Sequence, residues 1–213
     1  MDRETHVNSK CLVIFSLILV GSPVSAQKTP KIGKAEAAAI AATPDQIAAT
    51  AEIKNDEFDT TIRISTEPFY TEKQGIFKLV NGDKFIRATI DKKTGTTVFQ
   101  IYIWTSYGGE WDRWTRMSYK VGDELKTTEG VEIDNSLTTC TRYGCFKRLD
   151  MAFQIPEKDL RIAAANAQAG TDRLWQFKLF SNKSGDGMSG IMETEIAGIL
   201  LAADQQRAKM VLK

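Results

Sequence analysis

Polar and apolar residues alternate along most of this chain from about residue 58 onward. Residues 58–65, "FDTTIRIS", set Thr60, Ile62 and Ile64 against Thr61, Arg63 and Ser65. That period of two predicts a half-buried strand. "GIFKLVNGDKFIRATI" then gives two apolar segments around Asn81-Gly82, a dipeptide suited to a tight hairpin turn. A strand runs on to Ile90, "DKKTG" turns the chain, and a long strand follows from Thr97 to Tyr107. Gly108-Gly109 and Gly122-Asp123 mark further reversals on either side of "EWDRWTRMSYK".

Later, "FKRLDMAFQIP" places Leu149, Met151, Phe153 and Ile155 on one face and Arg148, Asp150, Ala152 and Gln154 on the other. Pro156 stops that strand and suits the first residue of a helix, where its fixed φ and missing N–H cost nothing. The helix runs through "EKDLRIAAANA", and Gly170 closes it. "RLWQFKLFS" is a further strand, "NKSGDG" a turn, and Ile191-Met192 a brief last strand. Finally Ile196, Ile199, Leu200 and Ala203 recur at helical spacing behind Thr194 as N-cap. Short strands at regular intervals with two late helices predict a mainly β fold. Its form is an antiparallel β-sandwich or curled sheet with helices over an end or edge.

The segments before residue 58 read differently. Residues 1–26 have a short charged start, an apolar run from Cys11 to Gly21, and small residues Ser25 and Ala26. This is the pattern of a secretory signal peptide, with cleavage expected between Ala26 and Gln27. The apolar run would cover roughly 16 Å as a helix, about half of a bilayer's hydrocarbon core, so no membrane span is expected after cleavage. Residues 27–53 are rich in Ala, interrupted by Pro30 and Pro44, and without an aromatic. They are expected to form a flexible arm ahead of a single domain over 54–213.

Charge and histidine content narrow the chemistry. The chain has 213 residues with 28 basic and 27 acidic side chains; losing Arg3 and Lys10 with Asp2 and Glu4 leaves 26 and 25. That balance suggests neither nucleic acid nor an anionic membrane as a partner. The single histidine, His6, lies in the expected signal peptide. A mature chain without imidazole has no Ser-His-Asp or Cys-His mechanism, nor the usual His-containing zinc and copper sites. No cofactor is implied.

Four sets of residues remain as candidates. Cys140 and Cys145 are spaced C-x4-C, wider than the C-x-x-C of thiol oxidoreductases, and no further Cys or His pair completes a metal site. In an exported chain the reading is a structural disulfide, worth about 2 kcal/mol for so short a loop. Trp104, Tyr107, Trp111 and Trp114 fall in an aromatic-dense stretch from Tyr102 to Tyr119. Tyr102 and Trp104 share one face of their strand, opposite Phe99, Ile101 and Ile103, so the aromatics are either core or an outward ligand platform for sugar rings or peptide. Asn182, Ser184, Asp186, Gly187 and Glu193 occupy positions one, three, five, six and twelve of a calcium-loop pattern. The preceding segment reads as a strand where that pattern needs a helix, and a Gly-rich turn explains the same letters. Carboxylate-pair chemistry on a glycan is the last candidate, and no spacing singles out a pair.

The passage "GVEIDNSLTTCTRYGC", the strand ending "FQIP", the helix after it and the closing "EIAGILLAAD" resemble a family of small exported bacterial proteins of unknown function. The letters that carry this are Ile133-Asp134, Cys140 and Gly144-Cys145. The Cys-x-x-x-Gly-Cys group with a Gly- and Leu-containing terminal helix is also similar to invasion-associated locus B proteins, though a further cysteine pair expected there is missing. Neither resemblance implies a catalytic residue. The expectation is a periplasmic or secreted non-enzymatic binding module that contacts an envelope protein or glycan. A glycan hydrolase with paired carboxylates and a calcium-stabilised module are the alternatives.

Overall fold

Antiparallel pairing between neighbours in sequence builds most of the sheet. The computed structural model describes residues 40–66, 71–72, 81–108, 112–142, 144–171, 173–183 and 185–211, all within one unit that runs Ile32–Lys213. Its elements in chain order are α1 (Pro44–Thr50), β1 (Glu52–Lys54), β2 (Thr61–Ser65), β3 (Thr71–Glu72), β4 (Asn81–Asp91), β5 (Thr97–Gly108), β6 (Trp114–Val121), β7 (Glu124–Thr141), β8 (Gly144–Ile155), α2 (Glu157–Ala163), β9 (Leu174–Ser181), β10 (Gly187–Met192) and α3 (Glu193–Val211). Nine strands follow the order β1-β2-β4-β5-β8-β7-β6-β9-β10, and β3 adds to β4. The fold is therefore mainly β, as a curled antiparallel sheet with two of its helices late in the chain.

Two turns show how local chemistry sets the register. At the β4–β5 hairpin Asp91 Oδ1 accepts bonds from the backbone N–H of Lys93 and Thr94 at 2.9 and 2.7 Å, and Gly95 takes φ +73°. These bonds, led by that from Thr94, lower the Asp91 pKa. At the β6–β7 hairpin Val121 faces Glu124 across Gly122-Asp123, with Gly122 at φ +59°. Both turns need a backbone shape that costs glycine little.

The sheet curls because β7 changes partners. Its first half pairs with β6 as far as Glu129, and from Gly130 onward it pairs with β8. Phe99, Ile101, Phe153 and Ile155 on the larger half face Met117, Tyr119 and Phe177 of the smaller in one buried cluster. Helix α3 packs on β2 and β4 near one margin and on β10 at the other. It inserts Ile196, Ile199 and Ala203, all at 0% exposure. Lys84 of β4 also donates to Ser189 Oγ of β10 at 3.2 Å, which joins the two margins directly.

Several expectations need correcting. Asn81-Gly82 makes no turn: both residues are in strand, opposite Ser106 and Thr105, because β5 is long enough to pair β4 over its whole length. The last third of the Ala-rich segment is ordered as α1 and β1. Thr43 and Gln46 form a capping box, and Ile47 is at 0% exposure against α3. Gly198 permits this contact, since a Cβ there would lie 2.5 Å from Ile47 Cγ2. Thr194 is not an N-cap: α3 starts at Glu193, and the buried Thr194 hydroxyl has no partner among the described residues. Pro156 caps α2 and does not begin it.

Helices α2 and α3 are tied by ions as well as by packing. Arg207 holds both Glu157 oxygens at 2.9 Å, Arg161 bonds Asp204 at 2.9 Å, and Arg207 also contacts Asp204. Arg207, with help from Arg161 and against the effect of burial, pulls the Glu157 carboxyl down to about 2. A carboxyl depressed in the folded state stabilises fully above its unfolded pKa and loses that contribution as pH falls through the folded value. Stability should therefore drop between about pH 4.5 and 2. Screening at this partly exposed site limits the gain at neutral pH to about 1–2 kcal/mol. Denaturant midpoints across that window should fall less steeply in Glu157→Gln than in the parent; equal slopes would remove Glu157 from the acid response.

Candidate binding face

The convex side of the larger half-sheet carries an unusual set of side chains. Alternation sends Ile86, Ile101, Ile103 and Met151 inward, so Phe85, Arg87, Tyr102, Trp104, Arg148 and Asp150 lie on the outer face, where Tyr102 and Asp150 are themselves buried beneath their neighbours. Phe85 stands opposite Tyr102 in register, with ring centroids 4.9 Å apart and nearly parallel. The Arg87 guanidinium lies over Tyr102 at 4.5 Å and Phe85 at 5.7 Å. One strand further, Arg148 sits over Trp104 at 5.0 Å.

Asp150 joins these two stacks. It is 5% exposed, accepts from Arg148 Nε at 2.7 Å and Nη2 at 3.0 Å, and accepts from the Tyr102 hydroxyl at 3.2 Å. Burial, and then Asp150, raise the Tyr102 pKa, so the phenol stays protonated and donates. Arg148 is shifted further up, chiefly by its bond to Asp150. Each ring on this face thus has a cation fixed against it, an arrangement worth about 0.5–1 kcal/mol per pair when exposed.

The aromatic candidates do not assemble into one platform. Trp104 is outward and half-buried, while Tyr107, three residues along the same strand, points the opposite way and packs against the core with Trp114. The Tyr107 hydroxyl donates to the Asp112 carbonyl at 2.8 Å and accepts from its N–H at 3.0 Å, which makes it a loop anchor. Trp111 lies outside the described residues. Sequence patterning put Tyr102 and Trp104 on one face without deciding between core and outward platform, and it missed Phe85, Arg87 and Arg148, whose nearness depends on the pairing of three separate strands.

Cys140 and Cys145 form a disulfide between directly opposed residues at the tip of the β7–β8 hairpin, with Gly144, the first residue of β8, at φ +126°. The bridge closes a hairpin that pairing already defines, and it is consistent with an oxidising compartment. The calcium candidates are spread out. Asn182 accepts from the Arg113 N–H at 2.9 Å, Asp186 is paired with Lys178 at 2.7 Å, and Glu193 with Arg173 at 3.3 Å. The six residues of β10 separate Asp186 from Glu193 by about 20 Å of extended chain, too far to share one ion. Ser184 lies outside the described residues.

Register does oppose one pair of carboxylates, Asp134 of β7 and Asp150 of β8. Asp150 offers little to a glycosidic bond, since the Arg148 fork and Tyr102 occupy its oxygens. Asp134 bonds the Asn135 N–H at 2.8 Å and the Ser136 hydroxyl at 3.1 Å. Among the described residues no group of three or more His, Cys, Asp and Glu side chains is placed to hold a metal. No helix among them is long and apolar enough to cross a membrane. Comparison with protein-family models, with characterised proteins and with solved structures finds no match.

Proposed function

We propose that this chain is an exported envelope protein without catalytic activity, which binds a partner protein through the convex face of β4, β5 and β8. The observation that carries the reading is the pair of ring–cation stacks linked by Asp150. Tyr, Trp, Phe and Arg are the side chains that concentrate binding energy at protein interfaces, and stacking holds these in place before a partner arrives. Tyr102 already has Phe85 and Arg87 against it. A sugar ring would have to displace one of them, which favours protein over glycan. The N-terminal pattern and the disulfide support export.

A photo-crosslinking residue at Gln100, on the same outer face, tests the proposal inside the producing cell's envelope. A discrete protein adduct is expected there. It should be absent with the crosslinker at Met188 on β10, and lost when Arg87→Glu and Arg148→Glu are added. Equal labelling at both positions, labelling indifferent to charge reversal, or saturable binding of a soluble envelope glycan in place of a protein would overturn it.

A further inference from the structure

We propose that a recess on the outer surface of β1, β2 and β4 binds a phosphate group. It is lined by Glu52, Lys54, Arg63, Ser65 and Arg87. The buried Ile62, Ile64, Ile86 and Ala88 fix which way these strands face, so all five lining side chains are outward. Register sets Lys54 opposite Arg63 and Ser65 opposite Arg87. Strand spacing then confines the three cations to a patch about 10 Å across.

Three cations and one carboxylate leave this recess with a net charge of +2. Glu52 is taken by Lys54 at 3.1 Å, and among the described residues Arg63 pairs with Asp59 at 3.8 Å, outside the recess. Arg87 meets no carboxylate among the described residues and is held only by its stack on Tyr102 and Phe85. Like charges facing each other on adjacent strands work against the fold, so a recess built this way gains from a bound anion.

Stacking uses the flat face of the guanidinium and leaves its N–H edge to receive oxygens in pairs. The Ser65 hydroxyl beside it can serve a third oxygen, and Lys54 and Arg63 approach from the neighbouring strands. Donors on several sides suit a tetrahedral group better than a planar one. A phosphate monoester carries about −1.5 to −2 at neutral pH and so matches the surplus, whereas a carboxylate would leave half of it. The other half-sheet supplies a contrast. Arg116 and Lys178 flank Phe180 at 4.2 and 4.8 Å, but there Lys178 is neutralised by Asp186 at 2.7 Å. The same phosphate chemistry is offered by the free ion and by an anionic lipid headgroup. Arg87 also belongs to the binding face proposed above, whereas Lys54, Arg63 and Ser65 do not, so variants at those three separate this site from that reading.

The test titrates the intact chain with inorganic phosphate against chloride at fixed ionic strength, read as melting temperature and by calorimetry. A parallel arm measures co-sedimentation with vesicles of phosphatidylglycerol in phosphatidylcholine and of phosphatidylcholine alone. Phosphate should raise Tm saturably. Arg87→Gln and Arg63→Gln should each weaken binding at least 10-fold, while Arg116→Gln binds as the parent does. Should Arg87→Gln unfold, Lys54→Gln at an exposed position and Ser65→Ala at a half-buried one carry the same expectation. Charge-selective vesicle binding lost in these variants assigns the phosphate to a lipid headgroup; phosphate protection without vesicle binding assigns it to a free ion or small ester. The site is refuted by a Tm response no larger than chloride gives, by acetate acting as well as phosphate, or by Arg116→Gln losing as much as Arg87→Gln.

Discussion

Gly130→Ala should destabilise the protein by about 3 kcal/mol, the upper end of what a single overpacked methyl costs. Gly130 is the residue at which β7 leaves β6 and begins to pair with β8. A Cβ there would lie 2.6 Å from the Trp114 carbonyl oxygen, 2.8 Å from Phe153 Cε1 and 2.9 Å from Met151 Cε. The methionine can swing aside and the phenylalanine can tilt, but the carbonyl belongs to the first residue of β6, whose own pairing holds it. The sheet would have to open at its corner. Urea unfolding should show the loss, with Gly185→Ala as the comparison. At Gly185 nothing lies within 4 Å of the added Cβ, so only the φ of +91° is penalised. If Met151→Ala restored Gly130→Ala to the stability of Met151→Ala alone, side-chain crowding and not the carbonyl would be the limiting contact.

Asp159→Ala is expected to cost a similar amount, near the lower end of the 3–5 kcal/mol range for a broken buried pair. Asp159 is at 0% exposure in α2 and accepts from the Tyr119 hydroxyl of β6 at 3.1 Å and from Lys126 Nζ of β7 at 2.8 Å. It is the polar link that docks α2 on the β6–β7 hairpin. Removal leaves the Tyr119 hydroxyl buried, where burial and Asp159 now hold its pKa well above the usual phenol range. Lys126 fares better, since it keeps Glu124 at 3.5 Å and some contact with solvent. Lys126→Met should therefore lose clearly less than Asp159→Ala in the same unfolding experiment. An Asp159→Ala loss below about 1 kcal/mol would mean that water or a shifted side chain replaces the carboxylate.

The strands that could be read in advance are those whose alternation matches their burial. In β9, Trp175, Phe177 and Leu179 are buried between more open neighbours, as the pattern requires; in β8 the inward Leu149, Met151, Phe153 and Ile155 are buried as well, but so are Asp150 and Ala152 on the other face. The 18-residue β7 could not be read that way. Its polar run is largely exposed, with Val131, Ile133 and Leu137 open to solvent. It is a strand because two different neighbours supply hydrogen bonds along its length. Helix α1 was missed for a related reason: its apolar face is only Ile47 and Ala48, and it is buried because Gly198 of α3 leaves room.

The sequence by itself determined the class of fold, the inward rows of apolar side chains, the two turns at residues 91–95 and 122–123, and the proximity of Cys140 to Cys145. These follow from rules that act within a few residues: alternation, turn chemistry and short loop closure. Tertiary structure alone decided where β7 turns the corner, which helix fills the curl, and which charges meet which rings. Phe85, Arg87, Tyr102 and Arg148 come from three strands, and Lys54, Arg63 and Arg87 from three. Their neighbours are set by inter-strand register, which no local pattern encodes.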